Sequence, residues 1–189
     1  MKKLLLVFSL CAATLVHAAT EVAGVKFDNS MKVGSAEPLL NGAGLRSKLF
    51  LKIYAVGLYL SERRATAAET LAVKGPKRLQ IVTLRDLSAE QFADALVEGV
   101  HKNVAAAEAE ALKARVEQFR SAILAVKEAP KGSVIQIDWL PESGTRLSIG
   151  GQKRGEDIPG EDFYQALLRI WLGDKPAQDD LKDALLGRP

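Results

Sequence analysis

From Gly42 to Leu60 the chain reads GAGLRSKLFLKIYAVGLYL, a run made mostly of glycine, alanine, aliphatic and aromatic residues. Aromatic and branched residues at this density favour extended backbone, and a run this apolar wants cover on both faces. It is too apolar for an exposed edge and predicts the central strand, or strand pair, of a sheet. Arg46 stands inside it, with Lys48 and Lys52 close by. A charge drawn into apolar surroundings is costly unless it is paired. Arg46 therefore escapes to solvent, makes a salt bridge with an internal Glu or Asp, or waits for an anion.

The elements around this run fill out one domain. EVAGVKF alternates as a short strand, and Lys32 to Gly34 suggests a second after an Asp-Asn-Ser turn. The segment ERRATAAETLAVKGP reads as a helix stopped at Gly75-Pro76, and KRLQIVTLRDL as a strand. Ser88 opens a capping box with Gln91, and the apolar spacing beyond it predicts two helices between about Ser88 and Val126, bent near Asn103 to Ala107. Residues 134–140 and 145–149 form a hairpin, GGQKRGED is a solvated loop carrying Lys153 and Arg154, and two more helical segments follow, the first stopped by Gly173. Strands, helices, a hairpin and helices imply an α+β domain whose largely antiparallel sheet is covered by helices on one side.

Composition narrows the chemistry. Residues 1–18, with Lys2 and Lys3 ahead of an apolar stretch and small residues, read as a signal peptide, leaving a domain over residues 19–189 and a periplasmic, secreted protein without a transmembrane anchor. Cys11 is the single cysteine and leaves with that segment. Removing Lys2 and Lys3 takes the formal charge from +3 to +1, which gives no support for nucleic-acid binding. His101 has no ligating neighbour at helical spacing, so no metal is expected, and GAG at Gly42 precedes a strand rather than a helix, so neither is a dinucleotide cofactor. What remains is Arg46 with Tyr54 and Tyr59. A guanidinium can grip a carboxylate through two parallel hydrogen bonds, and a tyrosine hydroxyl can add a third donor.

Three motifs, NGAGLR at Asn41 to Arg46, KIYAVGLYL at Lys52 to Leu60 and FYQALLRIWLGDKP at Phe163 to Pro176, resemble the chalcone isomerase superfamily, in particular its bacterial secreted chalcone-isomerase-like members. The resemblance implies an open-faced β-sandwich, a large antiparallel sheet covered by a layer of helices, with a ligand cleft between them. It also implies that Arg46 matches the arginine that steadies charge when the plant enzymes close the flavanone ring. The other catalytic positions depart: Tyr54 stands in place of threonine, Phe92 of tyrosine, Gly99 of asparagine and Tyr164 of threonine or serine. Phe92 and Gly99 bring no side-chain donor, so chalcone isomerase activity is not expected. The pair of Arg46 and Tyr54 is similar to the non-catalytic fatty-acid-binding branch, which makes the expected ligand a small apolar carboxylate. Two alternatives stay open: a lyase or isomerase of enones with Tyr54 or Tyr164 as acid or base, and a structural envelope protein in which Arg46 is paired internally. In a single extended strand, Arg46 and Tyr54 would lie roughly 26 Å apart, and SKLFLK holds no turn residue that would bring them closer.

Overall fold

The computed structural model describes residues 19–188; the expected signal peptide lies outside them. The apolar run is a hairpin. Strand β3 covers Leu39–Lys48 and β4 covers Leu51–Leu60, joined by Leu49 and Phe50 alone. Both turn residues have positive φ, 48° and 66°, as a type I′ turn requires. That turn usually takes Asn-Gly, which is why a Leu-Phe turn is invisible to a reading based on turn residues.

Before it, β1 (Thr20–Val22) and β2 (Val25–Phe27) form a small hairpin, so EVAGVKF contributes to two strands rather than one. Val33 makes only an isolated bridge with Ala36, not a strand. Helix α1 is shorter than its sequence suggests, Ala67–Ala72, and β5 follows at Lys77–Thr83. A two-residue strand, β6 (Leu87–Ser88), leads into α2 (Ala89–Asn103), where the Ser88 hydroxyl accepts from the Gln91 amide as the capping box predicts. Helix α3 (Ala106–Leu124) and the short β7 (Glu128–Ala129) come next, then β8 (Val134–Leu140) and β9 (Gly144–Ile149). The expected loop at GGQKRGED is instead a hairpin turn and an edge strand, β10 (Gln152–Ile158). Helices α4 (Glu161–Leu172) and α5 (Asp179–Leu185) end the chain.

Six strands make one antiparallel sheet in the order β10-β9-β8-β5-β4-β3. One face carries Tyr54, Val56, Leu58, Leu79, Ile81, Ile135 and Ile137 into a core closed by α2, α3 and α4. Among the described residues, the opposite face is covered only around Phe27, Leu40, Ala55 and Tyr59. Elsewhere it is polar: Arg78 grips Asp138 at 2.6 Å through two nitrogens, Gln136 donates to Gln80, and Arg146 grips Asp157. These cross-strand pairs satisfy a face that no helix covers, which is what an open-faced sheet needs. The expected α+β architecture is therefore present.

The NGAG motif has a packing role within β3. A Cβ on Gly42 would stand 2.1 Å from the Ala184 carbonyl oxygen, and one on Gly44 would stand 2.7 Å from Leu181. These glycines are not turn residues; they let α5 lie against the strand. Asn41 fastens that helix, donating to the carbonyls of Leu185 at 2.7 Å and Arg64 at 3.0 Å while accepting from the Arg64 amide.

The two-pronged contact from Arg146 holds the Asp157 carboxyl well below the usual carboxylate range. A depressed folded-state pKa gives stability that is complete above the unfolded value, about 3.9, and drains away as pH falls below it. Asp157→Asn is expected to cost about 1–2 kcal/mol at neutral pH, a figure kept small because Arg146 is partly solvated. Urea denaturation at several pH values should show the gap to the unaltered protein closing below about pH 4.

Candidate functional site

The hairpin turn brings Arg46 and Tyr54 together. They are register partners on adjacent antiparallel strands, placing their Cα atoms about 4.5–5.5 Å apart. The 26 Å separation expected for one continuous strand does not arise. A bulge follows at once: Ser47 pairs with Lys52, leaving Ile53 as the extra residue. An inserted residue breaks the alternation of side chains, so Ile53 joins Tyr54 on the helix-facing side.

Above this pair lies a cavity of about 810 Å³, between the hairpin, α2 and the segment joining α4 to α5. Its depth is apolar, with Tyr54, Trp171, Phe92, Leu96, Ile53 and Ile170 on the wall. Its rim is charged, with Arg46, Lys48, Arg85, Lys102 and Lys175 against Asp86, Asp94 and Glu98. Lys48 lines this space and Lys52 does not, which settles which of the two lysines belongs to it. An apolar hollow of this size with few convergent polar groups is the usual form of a small-molecule site.

Arg46 forms no ion pair among the described residues. Its Nη1 donates to the Ser47 carbonyl at 2.9 Å and to Gln178 Oε1 at 3.0 Å, both neutral acceptors. The internal salt bridge considered from sequence is absent among those residues. Gln178 also accepts from the Ser47 amide at 2.9 Å, so the residue preceding α5 holds the guanidinium in place without neutralising it. Sequence reasoning missed Gln178, because nothing in a sequence separation of 132 residues announces the contact.

Tyr54 is buried and its hydroxyl oxygen accepts from the Trp171 indole at 3.0 Å. The phenolic proton is thus left to donate elsewhere. Burial pushes the Tyr54 pKa up, with the Trp171 hydrogen bond and the Arg46 charge opposing only part of that rise. The group is a neutral donor at physiological pH and a poor base. Trp171, on α4, is the second residue that the sequence did not single out.

Tyr164 is elsewhere. It is fully buried under the sheet, its hydroxyl donating to the Ile137 carbonyl at 3.2 Å, and it is not on the cavity wall. Its proposed part as acid or base is therefore withdrawn. Tyr59, the second aromatic of the strand, is buried on the opposite face of the sheet and has no share in the cavity. Phe92 does line it, as an apolar wall. Gly99 is where α2 meets α4: a Cβ there would stand 2.8 Å from Ile170 Cγ2. Among the described residues no group of His, Cys, Asp or Glu is arranged to hold a metal.

A family model described as chalcone isomerase-like matches residues 19–187. Among solved structures, a fatty-acid binding protein of Arabidopsis thaliana is similar at a TM-score of 0.63 and 18% identity, over 86% of this chain and 92% of that one. At that identity the likeness concerns the fold. No curated protein matches.

The contact at Gly99 predicts that restoring a polar side chain harms packing before it helps any chemistry. Gly99→Asn is expected to lower stability by about 1–3 kcal/mol, as overpacking does. In a double-mutant cycle by denaturant unfolding, Gly99→Asn should cost less in an Ile170→Ala background than in the unaltered protein, because the clash then has room to relax.

Proposed function

The chain belongs to the chalcone isomerase-like family, and we propose that it is a non-catalytic binding protein whose cleft takes a small apolar carboxylate such as a fatty acid. The observation that carries this reading is Arg46: a guanidinium at the cleft, opposite the buried Tyr54, with neutral partners on one nitrogen only. Its Nε and Nη2 make no hydrogen bond among the described residues, and Tyr54 has a proton to give. Together they offer a carboxylate the fork and the third donor that its oxygens accept. Behind them the apolar wall can take an alkyl chain at about 0.8 kcal/mol per buried methylene. The fatty-acid binding protein from Arabidopsis thaliana supports the choice of ligand class through its shared fold.

Catalysis of ring closure is not favoured. Phe92 and Gly99 supply no donor, Tyr164 is away from the cleft, and Tyr54 stays protonated. The pattern of residues 1–18 supports an exported protein that works in the periplasm once that segment is removed, its domain beginning near residue 19.

Native mass spectrometry of the purified protein, followed by extraction, should find a carboxylate-bearing lipid. In titrations, Arg46→Ala is expected to weaken carboxylates of matched chain length by roughly ten- to a hundredfold, the worth of a charge-assisted contact. The corresponding alcohols should change by less than about threefold, since they offer the guanidinium no charge. Equal losses for acids and alcohols would remove Arg46 from this role.

A further inference from the structure

Among the described residues, the large apolar side chains that stand exposed are Leu39, Leu49, Phe50 and Leu51. Three of the four are consecutive and form the tip of the β3–β4 hairpin, with Phe50 103% and Leu49 82% exposed. Leu49 and Leu51 also border the mouth of the cavity, whereas Phe50 has no partner among the described residues. Both turn residues sit at positive φ, where glycine or asparagine would be unstrained, and Phe50 touches neither core nor cavity. A phenylalanine held in that conformation with its ring in water calls for an apolar surface outside the molecule.

The surroundings indicate which surface. Lys48 and Lys52 flank the tip in sequence and are exposed, and Arg85 and Lys175 stand on the cavity rim beside it. None of these four is in an ion pair among the described residues. The acids on the same rim are fewer than the cations: Glu98 pairs with Lys102 at 2.6 Å and Asp94 with Arg120 at 3.0 Å, while Asp86 accepts from the Lys131 amide at 2.8 Å and keeps its charge. An apolar point beside an excess of cations suits the boundary between anionic headgroups and acyl chains, where lysine stems lie along apolar surface and their ammonium groups reach the phosphates.

We propose that the β3–β4 hairpin tip docks on an anionic lipid bilayer, inserting Phe50 and Leu49 between headgroups while Lys48 and Lys52 lie on them. This turns the mouth of the cleft toward the membrane, so the ligand passes between bilayer and cavity without crossing much water. The purpose assigned to docking rests on the carboxylate-binding reading; the docking itself does not.

The test uses the full chain and vesicles of phosphatidylcholine with or without phosphatidylglycerol. Phe50→Gly suits the positive φ of the turn, so it leaves the fold intact, and Phe50 is not on the cavity wall, so uptake of dissolved oleate should be unchanged. Its affinity for anionic vesicles is expected to fall roughly ten- to a hundredfold, the worth of burying one large apolar side chain. In Phe50→Trp, the added indole should shift its emission to the blue and be quenched by brominated acyl chains in anionic vesicles, and less so at high salt. Unshifted emission, undiminished vesicle binding by Phe50→Gly, or a Phe50-dependent dimer formed without lipid would each overturn the proposal. If oleate is never taken up while docking still depends on Phe50, the ligand reading fails and the docking stands.

Discussion

The register of the β3–β4 hairpin is the constraint on which the site depends. The two-residue turn sets Lys48 opposite Leu51 and Ser47 opposite Lys52, and the bulge at Ile53 then brings Tyr54 opposite Arg46. A slip of one residue would carry every side chain of β4 to the other face of the sheet. Tyr54, Val56, Leu58 and Leu60 would then leave the main core, and the hydroxyl of Tyr54 would lose both Trp171 and Arg46 as neighbours. The register is therefore enforced by the burial of a whole strand, and the polar pair inherits its precision from apolar packing. The bulge at Ile53 then adjusts the last turn of that alternation, adding an apolar wall residue beside the pair.

A second dependence runs from the far end of the chain. Arg46 keeps its charge at the cleft because its partners are neutral, and the chief one, Gln178, immediately precedes α5. That helix can lie on β3 only because Gly42 and Gly44 have no side chains, and Asn41 ties its last turn down. The NGAGLR motif thus reads as one device: an anchor, two bare positions and the residue whose guanidinium the docked helix orients. Were Gln178 an acid, the same geometry would neutralise the arginine and remove its reason to bind an anion.

Most elements were legible because their signals are local. Helical spacing after Ser88, the capping box, Gly173 at the end of α4 and alternation in β8 and β9 each depend on a few neighbouring residues. The errors also have local causes. The Leu-Phe turn carries none of the residues that mark turns, so the sequence does not distinguish one strand from a strand pair, nor show that Arg46 meets Tyr54. The strand at β10 is an exposed edge, so its polar residues read as a loop. Gly42 and Gly44 resemble turn glycines because sequence cannot distinguish a glycine needed for φ from one needed for space. Gln178 and Trp171 were out of reach, since their roles exist only through contacts more than a hundred residues apart.

Three of the positions at which the resemblance would place polar catalytic groups share a physical character in this chain. Phe92 is an apolar wall, Gly99 makes a close helix contact, and Tyr164 turns its hydroxyl toward the Ile137 carbonyl beneath the sheet. None of the three offers the cleft a side-chain donor. A transition state with moving charge needs donors arrayed around the reacting atoms, whereas a bound carboxylate needs them at one end only. With Arg46 and the charged rim at the mouth and apolar side chains in its depth, the cleft has an electrostatic axis. On the binding reading proposed above, such an axis would orient an amphipathic chain with its head at the guanidinium and its tail along the wall, and it provides little that would discriminate between the ground state and a transition state further along that tail.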